Sequence, residues 1–340
     1  MLSRTLRVAP PVALALLLAT AATAATAAPK TVTVMTRNLF LGTDLPTIAV
    51  GQPGADFEAR AGRALDEVKA GDPVGRMKLV AAEIAKAKPD LVGLQEVTLW
   101  RTGPKGDPAP ATTVLYDFLA SLRAELKRLK APYTVVVDRR GLNVEGPTDH
   151  GVDVRITLGD TILARRGVKV RKPRSGVFKS QLIFNTPQLG AVNPSRSWNS
   201  VDATVRGASL HLVNAHLEAY SPDTRLAQAK ELVAGPLKSK RATILVGDLN
   251  SEPKAAKPED RPPYQAIAAA GFKPRQAAAK ACCLDTLKGG GAFDHNVDWI
   301  MSRPGLKLLR STITGRAERT ATGNAASDHA GVVSTLRLKG

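Results

Sequence analysis

Cysteine is nearly absent. The chain of 340 residues has two, Cys282 and Cys283, and they are adjacent. No ordinary long-range disulfide can be built from them, so the fold relies on its apolar core, which a chain of this length can bury. With no histidine or further cysteine nearby in sequence, the pair makes a poor metal site and reads as structural. Aromatic residues are only 4 % of the chain, too few for base stacking to be read from composition. Zinc-type spacings such as H-x-x-x-H or clustered Cys/His are missing. Acidic residues are in the minority, 30 against 48 Lys and Arg, giving a formal charge of +18. That excess points to a polyanionic partner, whether nucleic acid, an anionic membrane surface or a phosphorylated small molecule. An Arg/Ala-rich background would raise the charge as well, so charge alone leaves the partner open.

Long apolar runs are missing too. Val12 to Leu18 is too short to span a bilayer, and nothing later approaches that length. Arg4 and Arg7 precede this run, and small residues follow it as far as Ala25-Thr26-Ala27. The pattern predicts a secretory signal peptide over residues 1–27, cut near Ala27, and an exported, extracellular protein without a transmembrane segment. Without Arg4 and Arg7 the remaining chain carries +16. Residues 28–340 show no repeat and no Pro/Ser-rich linker, and they read as a single domain, expected to be monomeric.

Strands and helices alternate along that domain. Thr31–Thr36 alternates β-branched and apolar residues and predicts a strand. Asp72-Pro73 is an N-cap followed by proline at the first helical position, and Val74, Met77, Val80, Ala81 and Ile84 then share a helical face. Gly51 to Gly71 reads as loop with a short helix, and Leu91–Leu94 as a short buried strand. Val114 to Leu129 carries helical periodicity. Further strands are expected at Tyr133–Asp138, Val152–Leu158, Thr161–Ala164, Trp198–Val205, Ser209–Val213, Thr243–Val246, Val297–Met301 and Val332–Leu338. Ser221-Pro222 caps another helix. The pattern predicts an α/β or α+β sandwich, a mixed sheet system covered by helices.

Six of these apolar strands end in an acid, an amide or an imidazole. The groups are Asn38; Gln95 and Glu96; Asn214 and His216; Asp248 and Asn250; Asp298; and Asp328 with His329. Each alone is an ordinary turn sequence. Six together suggest one rim. Oxygen donors such as Glu96 and Asp328 suit a hard divalent cation, above all Mg²⁺. Histidines near neutral pH serve as base, acid or phosphate clamp, and amides hold phosphoryl oxygens as charge builds. The chemistry is metal-assisted cleavage of a phosphoester.

These residues, in this order, resemble the endonuclease/exonuclease/phosphatase superfamily, the deoxyribonuclease I-like fold, from about Thr31 to Leu338. The resemblance implies a four-layer αββα sandwich with its site at the edge of two packed sheets. It implies that Glu96 binds Mg²⁺ (Mn²⁺ or Ca²⁺ as substitutes), beside Asn38, with Asp328 completing the shell. His329 then pairs with Asp298 and activates water or binds the scissile phosphate. Asp248 is the other candidate base, Asn250 contacts phosphate, and His216 helps the phosphate or the leaving group. Asn214 and the cations Arg165 and Arg166, which open the basic run to Lys179, are expected on the substrate side. His211 reads as a buried structural histidine, His150 and His295 as loop residues, and Glu218 and Asp294 as surface charges. Asp160 stands outside the expected site.

Charge and the basic run favour an exported endonuclease on DNA or RNA. A sphingomyelinase-like or inositol-phosphate/phospholipid phosphoesterase in peripheral contact with anionic membranes is the alternative, with Leu39-Phe40-Leu41 as the only apolar loop on offer. A basic binding module without catalysis is the third reading, and the complete set of site residues argues against it.

Overall fold

The structure, a computed structural model, describes residues 30–277 and 280–338. The expected signal peptide lies outside the described residues. Among the described residues no helix is long and apolar enough to cross a membrane.

The first half of the chain builds one sheet and its helical cover. β1 (Thr31–Asn38) leads through α1 (Leu45–Ala49), α2 (Ala55–Ala70) and α3 (Pro73–Ala87) into β2 (Leu91–Pro104). β3 (Thr113–Asp117), α4 (Phe118–Arg128), β4 (Tyr133–Pro147) and β5 (Val152–Arg165) follow. Asp72 caps α3 as expected, its side chain accepting from Gly75 N at 2.9 Å. Two expectations need correction. Gly51–Gly71 is mostly the 16-residue α2, and the periodic stretch from Val114 begins as strand β3, with the helix starting only after Asp117, which caps it. β3 can leave the helical pattern because Leu99–Thr102 offers it an edge to pair with.

The second half makes the other sheet. β6 (Lys169–Val177), a small hairpin of β7 (Phe184–Thr186) and β8 (Gly190–Val192), β9 (Ser197–Val205) and β10 (Ala208–His216) come first. They are followed by α5 (Pro222–Ala234), β11 (Ala242–Asp248), α6 (Pro262–Ala269), β12 (Lys273–Pro274) and β13 (Asp298–Ser302). β14 (Leu306–Thr314) and β15 (Gly331–Leu338) return to the first sheet, whose order is β14-β15-β1-β2-β5-β4 with β3 on the edge of β2. The second sheet runs β12-β13-β11-β10-β9-β6.

Three apolar layers fix the stacking. Val32, Val34, Leu91 and Ile162 from one sheet meet Val201, Leu210, Leu212, Ile244 and Ile300 from the other. Met77, Val80, Ile84, Leu122 and Leu126 cover the outer face of the first sheet, and Leu232 and Ile267 cover the second. This is the αββα sandwich. Its inner strands are apolar on both faces, since each sheet is covered on both sides. β1 and β2 are parallel, as are β10 and β11, so their C-terminal ends, where the polar groups stand, reach one rim.

Candidate active site

The rim is assembled from strand ends in register. His216 on β10 pairs with Asp248 on β11, and Asp248 pairs with Asp298 on β13. Three site residues therefore stand abreast on neighbouring strands. Opposite them, β2 slips by one residue against β5. Leu94 faces Thr161 and Val97 faces Gly159, so Gln95 and Glu96 together oppose Asp160. A bulge of this kind re-aims a side chain. Glu96 adopts a left-handed backbone, φ +55°, and its side chain is half-buried at the rim, while Gln95 is buried.

Asn38 at the end of β1 joins the two sheets. Its Nδ2 donates to Glu96 Oε1 at 3.0 Å and to Asp248 Oδ2 at 3.1 Å. Glu96 Oε2 accepts from Leu41 N at 2.7 Å. His329 Nδ1 lies 2.7 Å from Asp298 Oδ2, and its Nε2 lies 3.7 Å from Asp248 Oδ2. His216 Nε2 is 3.6 Å from the same Asp248 oxygen. Asn250 donates its backbone N–H to Asp248 Oδ1 at 2.9 Å and its side-chain amide to Leu217 O at 3.0 Å.

Burial sets the protonation of these groups. It raises Asp248 to about 6, with the Asp298 charge adding and His329 opposing. Asp328 is raised by burial as well, with the Glu96 charge beside it. For His329 burial works against the charged ring, but Asp298, Asp328 and Asp248 outweigh it and hold the imidazole well above its ordinary value. His216 goes the other way, well below its ordinary value, through burial, the Arg196 charge and His329.

A divalent cation fits this rim. The Glu96 charge helps to raise the neighbouring Asp328, and the buried Asp298 Oδ1 has no hydrogen-bond partner among the described residues. The donors beside Asn38 are all oxygens, which suits a hard ion. One group of ligand-type atoms, Asp248, Asp298 and His329 within 4.8 Å of one another, is instead a hydrogen-bonded acid–histidine pair with a second carboxylate.

Several expected residues stand elsewhere. Arg165 pairs with Asp90 at 2.7 Å, at the end of the sheet opposite Glu96, and Arg166 follows it there on the backbone of Pro132. The antiparallel course of β5 puts its C-terminus beside the start of β2, so the expected substrate-side role of both arginines is corrected. Asn214 is fully buried, accepting from Gln95 Nε2 at 2.6 Å and donating to Leu94 O at 3.1 Å, so it ties the sheets together. Glu218, expected as a surface charge, is buried 3.6 Å from Arg196 Nε. Cys282 and Cys283 are bonded to each other, with Sγ atoms 3.6 and 3.8 Å from His329 Nε2. The histidine that the sequence around them lacks comes from 46 residues away through the fold.

Other residues of the site leave no local trace in the sequence. Arg196 Nη1 lies 2.9 Å from the His216 ring nitrogens. Asp160, buried opposite the bulge, accepts from Ser197 Oγ at 3.2 Å and is raised to about 7 by its burial, against the pull of Arg196. Arg37 and Arg76 are wholly buried cations behind the rim. Arg37 reaches the His329 carbonyl and Glu83, and Arg76 reaches the carbonyls of Leu39, Phe40 and Ala326. The two arginines hold the backbones that present Asn38, Asp328 and His329.

Residues 65–329 match the family model for the Endonuclease/Exonuclease/phosphatase family. The chain belongs to that family. Family members hydrolyse phosphoester bonds and are typically divalent-metal dependent. The fold is similar to that of a family protein from Bacteroides thetaiotaomicron, with TM-score 0.59 and 16 % identity over 92 % of this chain and 99 % of that one. A family protein from Beutenbergia cavernae has TM-score 0.59 and 21 % identity over 92 % and 72 %. A mannosyl-6-phosphatase from Bacteroides thetaiotaomicron has TM-score 0.55 and 16 % identity over 90 % and 99 %. Among curated proteins no sequence matches. For this family member the αββα sandwich expected from the sequence is the observed fold.

Proposed function

We propose that this family member is an exported, Mg²⁺-dependent phosphodiesterase in which Asp248 is the base and His329 the phosphate clamp. The observation that carries this reading is the arrangement of Asp248 between two imidazoles of opposite tendency. His329 keeps its proton near neutral pH because carboxylates surround it, so it can bind a phosphoryl oxygen but is poorly placed to accept a proton. Asp248, raised to about 6, can accept one from water. The water oxygen bonds to phosphorus as the P–O bond to the leaving group breaks. Neutral His216 and the Arg196 guanidinium stand on the far side of Asp248 and stabilise the departing oxygen. Asn250 contributes its backbone to orient Asp248. Glu96, Asn38 and Asp328 would hold the cation, which when bound neutralises charge on the phosphoryl oxygens.

Nucleic acid is the first substrate reading, and its support is the charge of +16 on the chain without Arg4 and Arg7 and the exposed cations of edge strand β6. A lipid-type phosphoester is the second, and an apolar cavity that opens onto the rim favours it. Leu39-Phe40-Leu41 is not the exposed loop that reading expected, since Leu39 and Leu41 are buried and Phe40 half-buried. The deciding experiment is kcat against pH for a soluble aryl phosphodiester, followed by a panel of plasmid DNA, RNA, sphingomyelin vesicles and sugar phosphates, each with Mg²⁺ and with EDTA. The wild type should lose activity as pH falls through about 6. Asp248→Asn should lower kcat by about 10²–10⁴-fold and remove that limb. An Asp248→Asn variant with unchanged turnover overturns the assignment.

A further inference from the structure

A cavity of about 410 Å³ runs from the rim into the first sheet's side of the molecule. Glu96, His216, Asp248, Asn250, Asp328 and His329 form its catalytic end. Away from that end the wall turns to hydrocarbon. Ile48 comes from α1, Phe57 from α2, Trp100 from β2, Leu142 from β4, Ile156 from β5 and Val192 from β8. Six elements from different parts of the chain thus turn apolar side chains toward one space, with the β7–β8 hairpin closing one side. Several polar groups along this wall are already engaged. Glu145 accepts from Ala111 N at 2.9 Å, and Thr186 Oγ1 donates to Gly190 O at 3.1 Å. Trp100 Nε1 donates to Leu41 O at 3.1 Å.

Such a wall discriminates between substrates. A sugar or a base pushed into it would lose its water without finding partners, which is costly. A hydrocarbon chain loses nothing and gains burial. We propose that the cavity seats a single hydrocarbon chain of an amphiphilic phosphoester whose phosphate lies at Asp248 and His329. Counting about 30 Å³ for each group the size of a water molecule, the cavity has room for about a dozen such groups, shared between the phosphate at its catalytic end and the chain. The chain enters beside the scissile bond, so its burial positions the phosphorus. This inference rests on the phosphoesterase reading and takes its lipid-type substrate class over nucleic acid.

The test is a chain-length series of p-nitrophenyl alkyl phosphates, from methyl to dodecyl, kept below their micellar concentrations and assayed with the full chain and Mg²⁺. kcat/KM should rise about three- to fourfold per methylene, then flatten when the cavity is full. Ile48→Trp, on the half-exposed α1, fills the cavity without touching the rim. It should abolish the dependence on chain length and leave turnover of the methyl ester unchanged. Val192→Trp, on the β7–β8 hairpin, should repeat this. A flat series in the wild type, or a slope that survives both substitutions, overturns the proposal. If no ester is cleaved, the phosphoesterase reading fails, and displacement of a fluorescent apolar probe by dodecyl phosphate still reads the cavity. Displacement by dodecyl phosphate, lost in Ile48→Trp, upholds the chain site. Displacement by a short oligonucleotide alone rejects it.

Discussion

Asp248 lies 3.6 Å from one imidazole and 3.7 Å from another, yet the two rings are driven in opposite directions by what stands behind them. Asp298 stands behind His329 and Arg196 behind His216. Identical side chains therefore receive different tasks from their neighbours. Glu96 is half-buried at the rim, and among the described residues Asn38 and the Leu41 amide engage its carboxylate. Glu96→Gln should lower kcat with Mg²⁺ by at least about 10²-fold, a loss of charge stabilisation. It should also weaken Mn²⁺ binding measured by calorimetry, with the melting curve of the apo protein nearly unchanged. Asp160 makes a pH prediction of known sign. Its folded value of about 7 lies above the ordinary 3.8, so between these values the native state holds a proton that the unfolded chain has released. Its contribution to stability therefore falls as pH rises. Asp160→Asn should remove about 2–3 kcal/mol of that decline between pH 5 and 7.5, read from urea melts at fixed salt.

Strands carry the site more than loops do. The bulge in β2 turns Glu96 to the rim and places Asp160 opposite it, beside the close approach of the two sheets at Gln95 and Asn214. That approach needs a glycine. A Cβ on Gly93 would stand 2.5 Å from Asn214 Oδ1 and 2.6 Å from Val246 Cγ2, so a methyl there separates the sheets at Gln95. Gly93→Ala should cost about 1–3 kcal/mol by chemical denaturation and lower activity along with stability. Gly247, at φ +148°, is similarly constrained, since a side chain there would collide with the Ala215 carbonyl. Gly93 sits between Val92 and Leu94, and Gly247 between Val246 and Asp248, and both look in sequence like ordinary strand residues. The β1, β10 and β11 ends were legible because an alternating or apolar run stops at a polar pair. β3 was not, because its five residues continue a helical pattern and only the open edge of β2 makes them a strand.

The whole molecule separates charge from chemistry. Arg165 lies at the end of the sheet opposite the rim, the cations of β6 lie on an exposed edge, and the cavity that meets the rim is largely apolar. The Arg165 and β6 cations therefore say less about the substrate here than the composition suggests. The cations next to the chemistry are Arg37, Arg76 and Arg196, which are buried or nearly so and held by backbone or acidic partners. Burial lowers Arg76 to about 10, where it still carries its charge at neutral pH. Export is a prediction at this scale. Expressed with its full N-terminus in a secreting bacterial host, the protein should appear in the medium with an N-terminus at or near Ala28 by mass spectrometry. A retained Met1 would remove the signal peptide from the account.

The sequence by itself determined the layered α/β architecture, because apolar periodicity decides which faces must be covered. It also determined the order of the polar strand ends, and so the family resemblance. Only the tertiary structure decided which of those residues meet. Asn214 points between the sheets, while Asp248 and His216 stand at the rim, although all three follow similar apolar runs. Arg165 was drawn away by the direction of β5, and Arg196 and Asp160 were brought in by β9 and by the bulge. The physical reason is that a strand's local pattern fixes its covered faces, whereas its direction and register against distant strands set where its last side chain arrives.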